Sequence, residues 1–186
     1  MRETVKLAVR LMVFALVSAL LLAVVNALTK DTIAENEIIA KNKARAAVLG
    51  EYAFEQVDTD LSAYSTIQGV YAGYDGDAIM GYVYELKSKG YASTPVSISL
   101  GVDLTGKIVG LNITAHAETK GIGTDQQIPF LASFIGLSVE GSAADTVAGV
   151  DGMTGATYST NAVKNGVQEA LSHFEANYSG GEANAQ

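Results

Sequence analysis

Asp151-Gly152-Met153-Thr154-Gly155-Ala156-Thr157-Tyr158-Ser159-Thr160 sets two glycines, an alanine and several hydroxyl side chains between an acidic residue and an amphipathic segment. From Asn161 to Tyr178, Val163, Val167, Ala170, Leu171 and Phe174 recur at helical spacing and define one apolar face. The small-residue loop therefore feeds a helix N-terminus. The N–H groups of a first turn lack intrahelical partners and the helix dipole is positive there, a combination suited to a phosphate. Small residues let a ligand approach the backbone closely, and Thr157 puts a hydroxyl where a phosphate would lie. The same residues also fit a plain helix start, with Ser159 or Thr160 as the N-cap and the glycines in a turn.

Upstream of this loop the chain alternates in the manner of strands. Gly69–Tyr74 and Ala78–Leu86 read as two strands joined at Asp75-Gly76-Asp77, a hairpin signal, with Tyr71, Tyr74, Tyr82 and Tyr84 as β-favouring aromatics. Lys87–Thr94 reads as a loop. Val96–Val102 alternates Val96, Ile98 and Leu100 with Ser97, Ser99 and Gly101, which predicts a half-buried strand. Asp103-Leu104-Thr105-Gly106 is a turn, and Lys107–Ala115 returns. Asp125–Phe134 has helical spacing, with Pro129 tolerated near its start. Ala143–Val150 reads as a short strand that delivers the Asp151 loop. Strands followed by helices predict an α+β domain, a mostly antiparallel sheet flanked by helices.

The N-terminus sets a different environment. Leu11–Leu28 is apolar apart from Ser18 and Asn26. As a helix it covers roughly 27 Å, close to the thickness of a bilayer core. Arg2, Lys6 and Arg10 precede it, whereas Lys30 and Asp31 behind it cancel, so the positive-inside rule puts residues 1–10 in the cytoplasm and the rest outside. A cleaved signal peptide is the competing reading. Its apolar core is usually shorter, and Val25-Asn26-Ala27-Leu28 makes a poor cleavage site, which favours a retained anchor. Asp31–Leu49 reads as a helix that continues from the span or breaks at Thr29–Asp31, with Glu37 and Lys41 paired and Gly50 as its stop. The resulting organisation is a cytoplasmic segment 1–10, a span 11–28, a helical connector 29–60, a folded domain 61–178 and a disordered tail 179–186.

The chain has 12 basic and 20 acidic residues; without Arg2, Lys6, Arg10 and Glu3 the part after Leu28 carries a net charge of −10. Such a surface repels nucleic acid and anionic headgroups. There is no cysteine, so no disulfide supports the exported part. No tract has metal-ligand spacing: His116 and His173 are far apart, and His173 sits beside Phe174 on a helix, which points to a structural or solvent-facing role. No acid–base constellation marks a complete catalytic unit.

The Asp151–Thr157 string, Asp-Gly-x-Thr-Gly-Ala-Thr, resembles the flavinylation motif of the FMN-binding domain family. In that family a flavin transferase joins FMN through a phosphoester to the last threonine. The resemblance implies Thr157 as acceptor and Asp151 as the motif's acid, with Thr154, Gly155 and Ala156 beside the phosphate. The run His116-Ala117-Glu118-Thr119-Lys120-Gly121-Ile122-Gly123 resembles the family's His-x-Glu-Thr-Pro-Gly-x-Gly loop, except that Lys120 replaces the usual proline. That implies Glu118, Thr119, Gly121 and Gly123 along the ring or ribityl chain. Gly90 and Tyr91 resemble a Gly-Tyr step of the same family and are a further candidate contact.

The two motifs, in this order behind one N-terminal span, are similar to the G-subunit family of Rnf-type ion-translocating electron transport complexes. The C subunit of the sodium-pumping NADH:quinone reductase is related but usually longer. The resemblance implies an electron carrier within a membrane complex that works between ferredoxin and NAD. Its partners would be membrane and peripheral subunits and, during maturation, a flavin transferase. A flavin-binding component of another exported reductase is the alternative. A membrane-anchored scaffold without flavin is a third reading.

Overall fold

The computed structural model describes residues 2–115, 127–139 and 142–179. The chain divides into two compact units, Met1–Lys41 and Asn42–Gln186. The first is helical throughout its described residues and belongs to helix α1, Arg2–Leu49, which runs through Thr29–Asp31 without a break. Thr29 would otherwise favour an interruption, but its hydroxyl donates to the Val25 carbonyl at 2.8 Å, so its polar group is satisfied on its own helix. Lys41 pairs with Glu37 at 2.9 Å. The helix is long and apolar enough to cross a membrane, and its apolar side chains from Leu11 to Leu28 are exposed.

The second unit begins with the last two turns of α1. Gly50, at φ +124, ends the helix, and its N–H donates to the Ala46 carbonyl at 2.9 Å. The helical connector expected over 29–60 therefore stops at Leu49. Residues Ala53–Val57 instead form strand β1, because they pair with the strand that follows. Strands β2 (Ile67–Asp75), β3 (Ala78–Ser88), β4 (Val96–Asp103) and β5 (Ile108–Ala115) complete an antiparallel sheet in the order β1-β2-β3-β4-β5. The expected hairpin closes with Asp75 opposite Ala78 and Gly76 at φ +62. Helices α2 (Gln127–Ala132), α3 (Ala143–Ala148) and α4 (Thr157–Tyr178) follow.

The short strand expected over 143–150 is helix α3. Ser142 caps it by accepting from the Asp145 N–H at 3.1 Å, and Ala143 and Val147, one turn apart, are its buried positions. A capped single turn satisfies the backbone locally, and the described sheet offers this segment no strand partner.

Alternation sorts the sheet into two faces. Val70, Tyr82, Tyr84, Leu86, Ile98, Leu100 and Val102 face α4, which packs Val163, Val167, Leu171 and Phe174 against them. Gly166 lets the helix approach; a Cβ there would lie 3.3 Å from the Leu86 side chain. The opposite face is built from small residues. Gly101 and Gly110 lie against the backbone of Val48, and Gly73 and Gly81 against the side chain of Leu49. β4 is therefore buried on both sides, not half-buried as its Ser/Gly alternation predicted: the small residues make a seat for α1. Arg45 fastens this seat. Its Nε and Nη2 donate to Glu85 Oε1 at 2.9 and 2.6 Å, and its guanidinium lies 3.5 Å from the centre of the Tyr71 ring.

His173 is fully buried and structural. Its Nε2 meets the Thr59 hydroxyl at 3.1 Å, its Nδ1 meets the Tyr84 hydroxyl at 3.2 Å, and Tyr64 packs edge-on at 5.1 Å. Burial pushes its pKa below the ordinary value.

The seat and the buried imidazole can each be tested. A fragment beginning at Asn42 should unfold cooperatively on heating, whereas one beginning at Glu51 should not, because the small-residue face loses its cover. Gly110→Ala, whose Cβ would fall 2.1 Å from the Val48 carbonyl oxygen, should cost the longer fragment about 1–3 kcal/mol. A well-folded 51–186 fragment would contradict the seat. For His173, the unfolded chain takes up the proton more readily than the folded one, so stability rises with pH through this window and is lost as pH falls below about 6.5. Denaturant titrations of His173→Gln should show a flatter dependence between about pH 5 and 6.5; an unchanged slope would assign the acid sensitivity elsewhere.

Candidate cofactor site

The Asp151 loop is held at both ends by α4. The Met153 N–H donates to Thr160 Oγ1 at 3.0 Å, the Thr160 N–H to the Ala156 carbonyl at 2.9 Å, and the Ala156 N–H to the Met153 carbonyl at 3.2 Å. Lys164 reaches back to donate to the carbonyl of Val150, just before the loop. Met153 and Ala156 are buried as plugs, while Asp151, Thr154, Gly155 and Thr157 are exposed. Gly152 packs against Thr160, where a Cβ would come within 3.1 Å of the threonine methyl. Gly155 stands at φ +76, a conformation suited to glycine, with open space where a Cβ would be.

Helix α4 starts at Thr157, earlier than the Asn161 read from periodicity. Neither Ser159 nor Thr160 caps it. Both are buried inside the first turn, Thr160 serves as acceptor for the loop, and Ala156 occupies the N-cap with no side-chain hydrogen bond. The N-cap residue thus gives no side-chain cap, and Thr157 is carried, exposed, at the positive end of a 22-residue helix. This donor set fits a phosphate.

The sheet brings other elements to the same end. β3 ends and β4 begins with Ser88 opposite Val96, and β5 ends with Ala115 opposite Ser97. α4 runs from Phe174, against Gly106 in the far turn, past Gly166 over Leu86 and Ile98, so its N-terminus lies at the Ser88–Val96–Ala115 end. Gly90 is buried there, and the Tyr91 ring meets Tyr158 with centroids 5.7 Å apart. Gly90 and Tyr91 are therefore brought to the Thr157 loop. Glu118, Thr119, Gly121 and Gly123 lie outside the described residues.

Sequence reading missed Tyr158, Lys164, the role of Thr160 as acceptor for the loop and a polar cavity of about 260 Å³ between α4 and the end of β3. Ser88 and Lys89 line one side of it, and Asn165, Gln168 and Glu169 the other. The available signal was the spacing of Tyr158 and Asn165, seven residues apart and so on one helical face. Glu169 ties this wall to the loop before β2, accepting from the Ser65 hydroxyl, the Thr66 N–H and the Thr66 hydroxyl, each at 2.8 Å. Burial opposes ionisation of Glu169, but these hydrogen bonds outweigh it and hold the carboxyl below its usual range.

Residues 90–172 match the FMN-binding domain family, and residues 1–48 match the RnfG N-terminal region. The G subunit of an ion-translocating oxidoreductase complex from Cereibacter sphaeroides is 30% identical, over 87% of this chain and 80% of the relative. The chain belongs to the G-subunit family of ion-translocating oxidoreductase complexes. Another relative is the G subunit of a Na(+)-translocating ferredoxin:NAD(+) oxidoreductase complex from Acetobacterium woodii, 28% identical over 91% of each chain. The corresponding subunit of a proton-translocating ferredoxin:NAD(+) oxidoreductase complex from Clostridium ljungdahlii is 26% identical over 83% of each. Gly90, Tyr91 and the whole Asp151–Thr157 loop lie inside the FMN-binding match. The folded unit starts much earlier, at Asn42.

Proposed function

We propose that this protein is the membrane-anchored electron relay of a ferredoxin:NAD oxidoreductase complex, with FMN joined through its phosphate to Thr157. The observation that carries the reading is the placement of Thr157: an exposed residue at the first position of a helix whose N-cap is Ala156, inside the FMN-binding match. Bound FMN supplies reversible electron uptake. The chain's residues hold it in place. Thr154, Gly155 and Ala156 surround the phosphate, and the first turn of α4 favours its negative charge. Asp151 completes the loop motif. Gly90 and Tyr91 flank the cofactor, and Glu118, Thr119, Gly121 and Gly123 contact the ring or ribityl chain from the segment after Ala115.

A permanent link suits a carrier on the outer side of a membrane, where a dissociated cofactor is diluted away. Thr157 has no activating base among the described loop residues, and a threonine hydroxyl is a weak nucleophile at neutral pH. Attachment therefore needs a flavin transferase and an activated flavin pyrophosphate. The Thr157 oxygen would form the new O–P bond as the P–O–P bond of the donor breaks; the donor's other half would leave as a phosphate monoester, and the hydroxyl proton would pass to a base of the transferase. The helix retained at the N-terminus anchors the protein by a single pass, with Arg2, Lys6 and Arg10 inside and the flavin domain outside. The remaining partners are the membrane and peripheral subunits of the complex.

Thr157→Ala, co-expressed with a flavin transferase, should fold with wild-type thermal stability and carry no flavin after denaturation and gel filtration. Flavin that stays attached in this variant would overturn the assignment. A reporter fused after Gln186 should be active only in a form that requires export; activity in the cytoplasm alone would reverse the topology.

A further inference from the structure

The polar cavity between α4 and the end of β3 has features that the fold does not use. Glu169, Ser65 and Thr66 satisfy one another. Lys89, Asn165 and Gln168 also line it, and among the described residues no hydrogen bond or ion pair holds the Lys89 ammonium or these two amides. Asn165, the lining residue of α4 nearest the attachment point, is eight residues from Thr157, about 12 Å along the helix axis. Tyr158, next to Thr157, lies two turns from Asn165 on the same helical face, about 10 Å along the axis. On the other wall, Lys89 is two residues from Tyr91, whose ring meets Tyr158. A flavin held at Thr157 has its ring system within reach of this space. One edge of that ring system carries carbonyl oxygens and an N–H, the groups that two amides and an ammonium recognise.

We propose that this cavity seats the polar edge of the flavin ring, and that Lys89 is the positioning cation that sets its midpoint potential. The inference rests on the reading of Thr157 as the attachment site. Reduction brings electrons from a neighbouring carrier of the complex onto the ring, and negative charge gathers at its N1–C2 carbonyl edge. A cation there stabilises the more negative form, so the potential rises. Asn165 and Gln168 hold the edge in register by hydrogen bonding. Lys87 is the internal control: it carries the same charge inside β3, on the face opposite Ser88, and does not line the cavity, whereas Lys89 lies past the strand end and does.

The test is a redox titration of the flavin absorbance in the full-length, flavin-loaded protein, for wild type, Lys89→Gln, Lys89→Glu and Lys87→Gln. Peptide mass mapping of the same preparations reports the attachment. The expected result is a shift to more negative potential in Lys89→Gln, a larger one in Lys89→Glu, and none in Lys87→Gln, with equal flavin content throughout. Equal potentials in all four proteins, or equal shifts for Lys87→Gln and Lys89→Gln, would overturn the role of Lys89 while leaving attachment at Thr157 intact. A flavin mapped to another residue, with the charge-ordered series preserved, would overturn the attachment and keep the seat. A protein with no flavin at all would overturn both.

Discussion

The close approach of the α1 backbone to a glycine-lined sheet face is the constraint on which the rest of the domain depends. Four adjacent strands each give a glycine to this face: Gly73, Gly81, Gly101 and Gly110. A methyl group at Gly101 or Gly110 would fall 2.2 or 2.1 Å from the Val48 carbonyl oxygen, far inside van der Waals contact. The face is thus matched to main chain, and Arg45 fixes the approach through Glu85 and Tyr71. With small residues on this side, the large apolar side chains of β2, β3 and β4 collect on the other, where α4 covers them. The last two turns of the long N-terminal helix are consequently a core element of the folded domain.

That division of faces fixes the site. α4 must lie along the apolar side, held there by Val163, Val167, Leu171 and Phe174, so its N-terminus emerges at the sheet end where β3, β4 and β5 change direction. The Met153–Thr160 and Lys164–Val150 contacts fold the preceding loop onto the helix, which leaves Thr157 at the surface behind the N-cap Ala156. A rigid helix end carrying an open hydroxyl suits a modification made by another protein. The Tyr91 and Tyr158 rings meet beside it.

Much of this was legible in the sequence. The strands at 69–74, 78–86, 96–102 and 107–115 stood out through alternation and turn chemistry, and the Asp151–Thr157 string marked the candidate acceptor. What escaped had local causes. Ser97, Ser99 and Gly101 read as a solvent face because small polar residues resemble exposed ones; that they form a helix seat depends on Val48, about fifty residues away. Residues 53–57 carry no clean alternation, and β1 exists only through its pairing with β2. Ala143–Ala148 is too short for periodicity to decide, so its Ser142 cap settles the form. Tyr158 and Lys89 gain meaning only when the 88–96 segment is folded against α4.

The most direct measurement is tandem mass spectrometry of the Asp151–Lys164 region from the protein purified out of its native membrane complex. The account predicts one FMN, joined by a phosphoester, with fragment ions that localise it to Thr157. An adduct on Thr154, Ser159 or Thr160, or an unmodified peptide from a protein whose flavin is lost on denaturation, would contradict it.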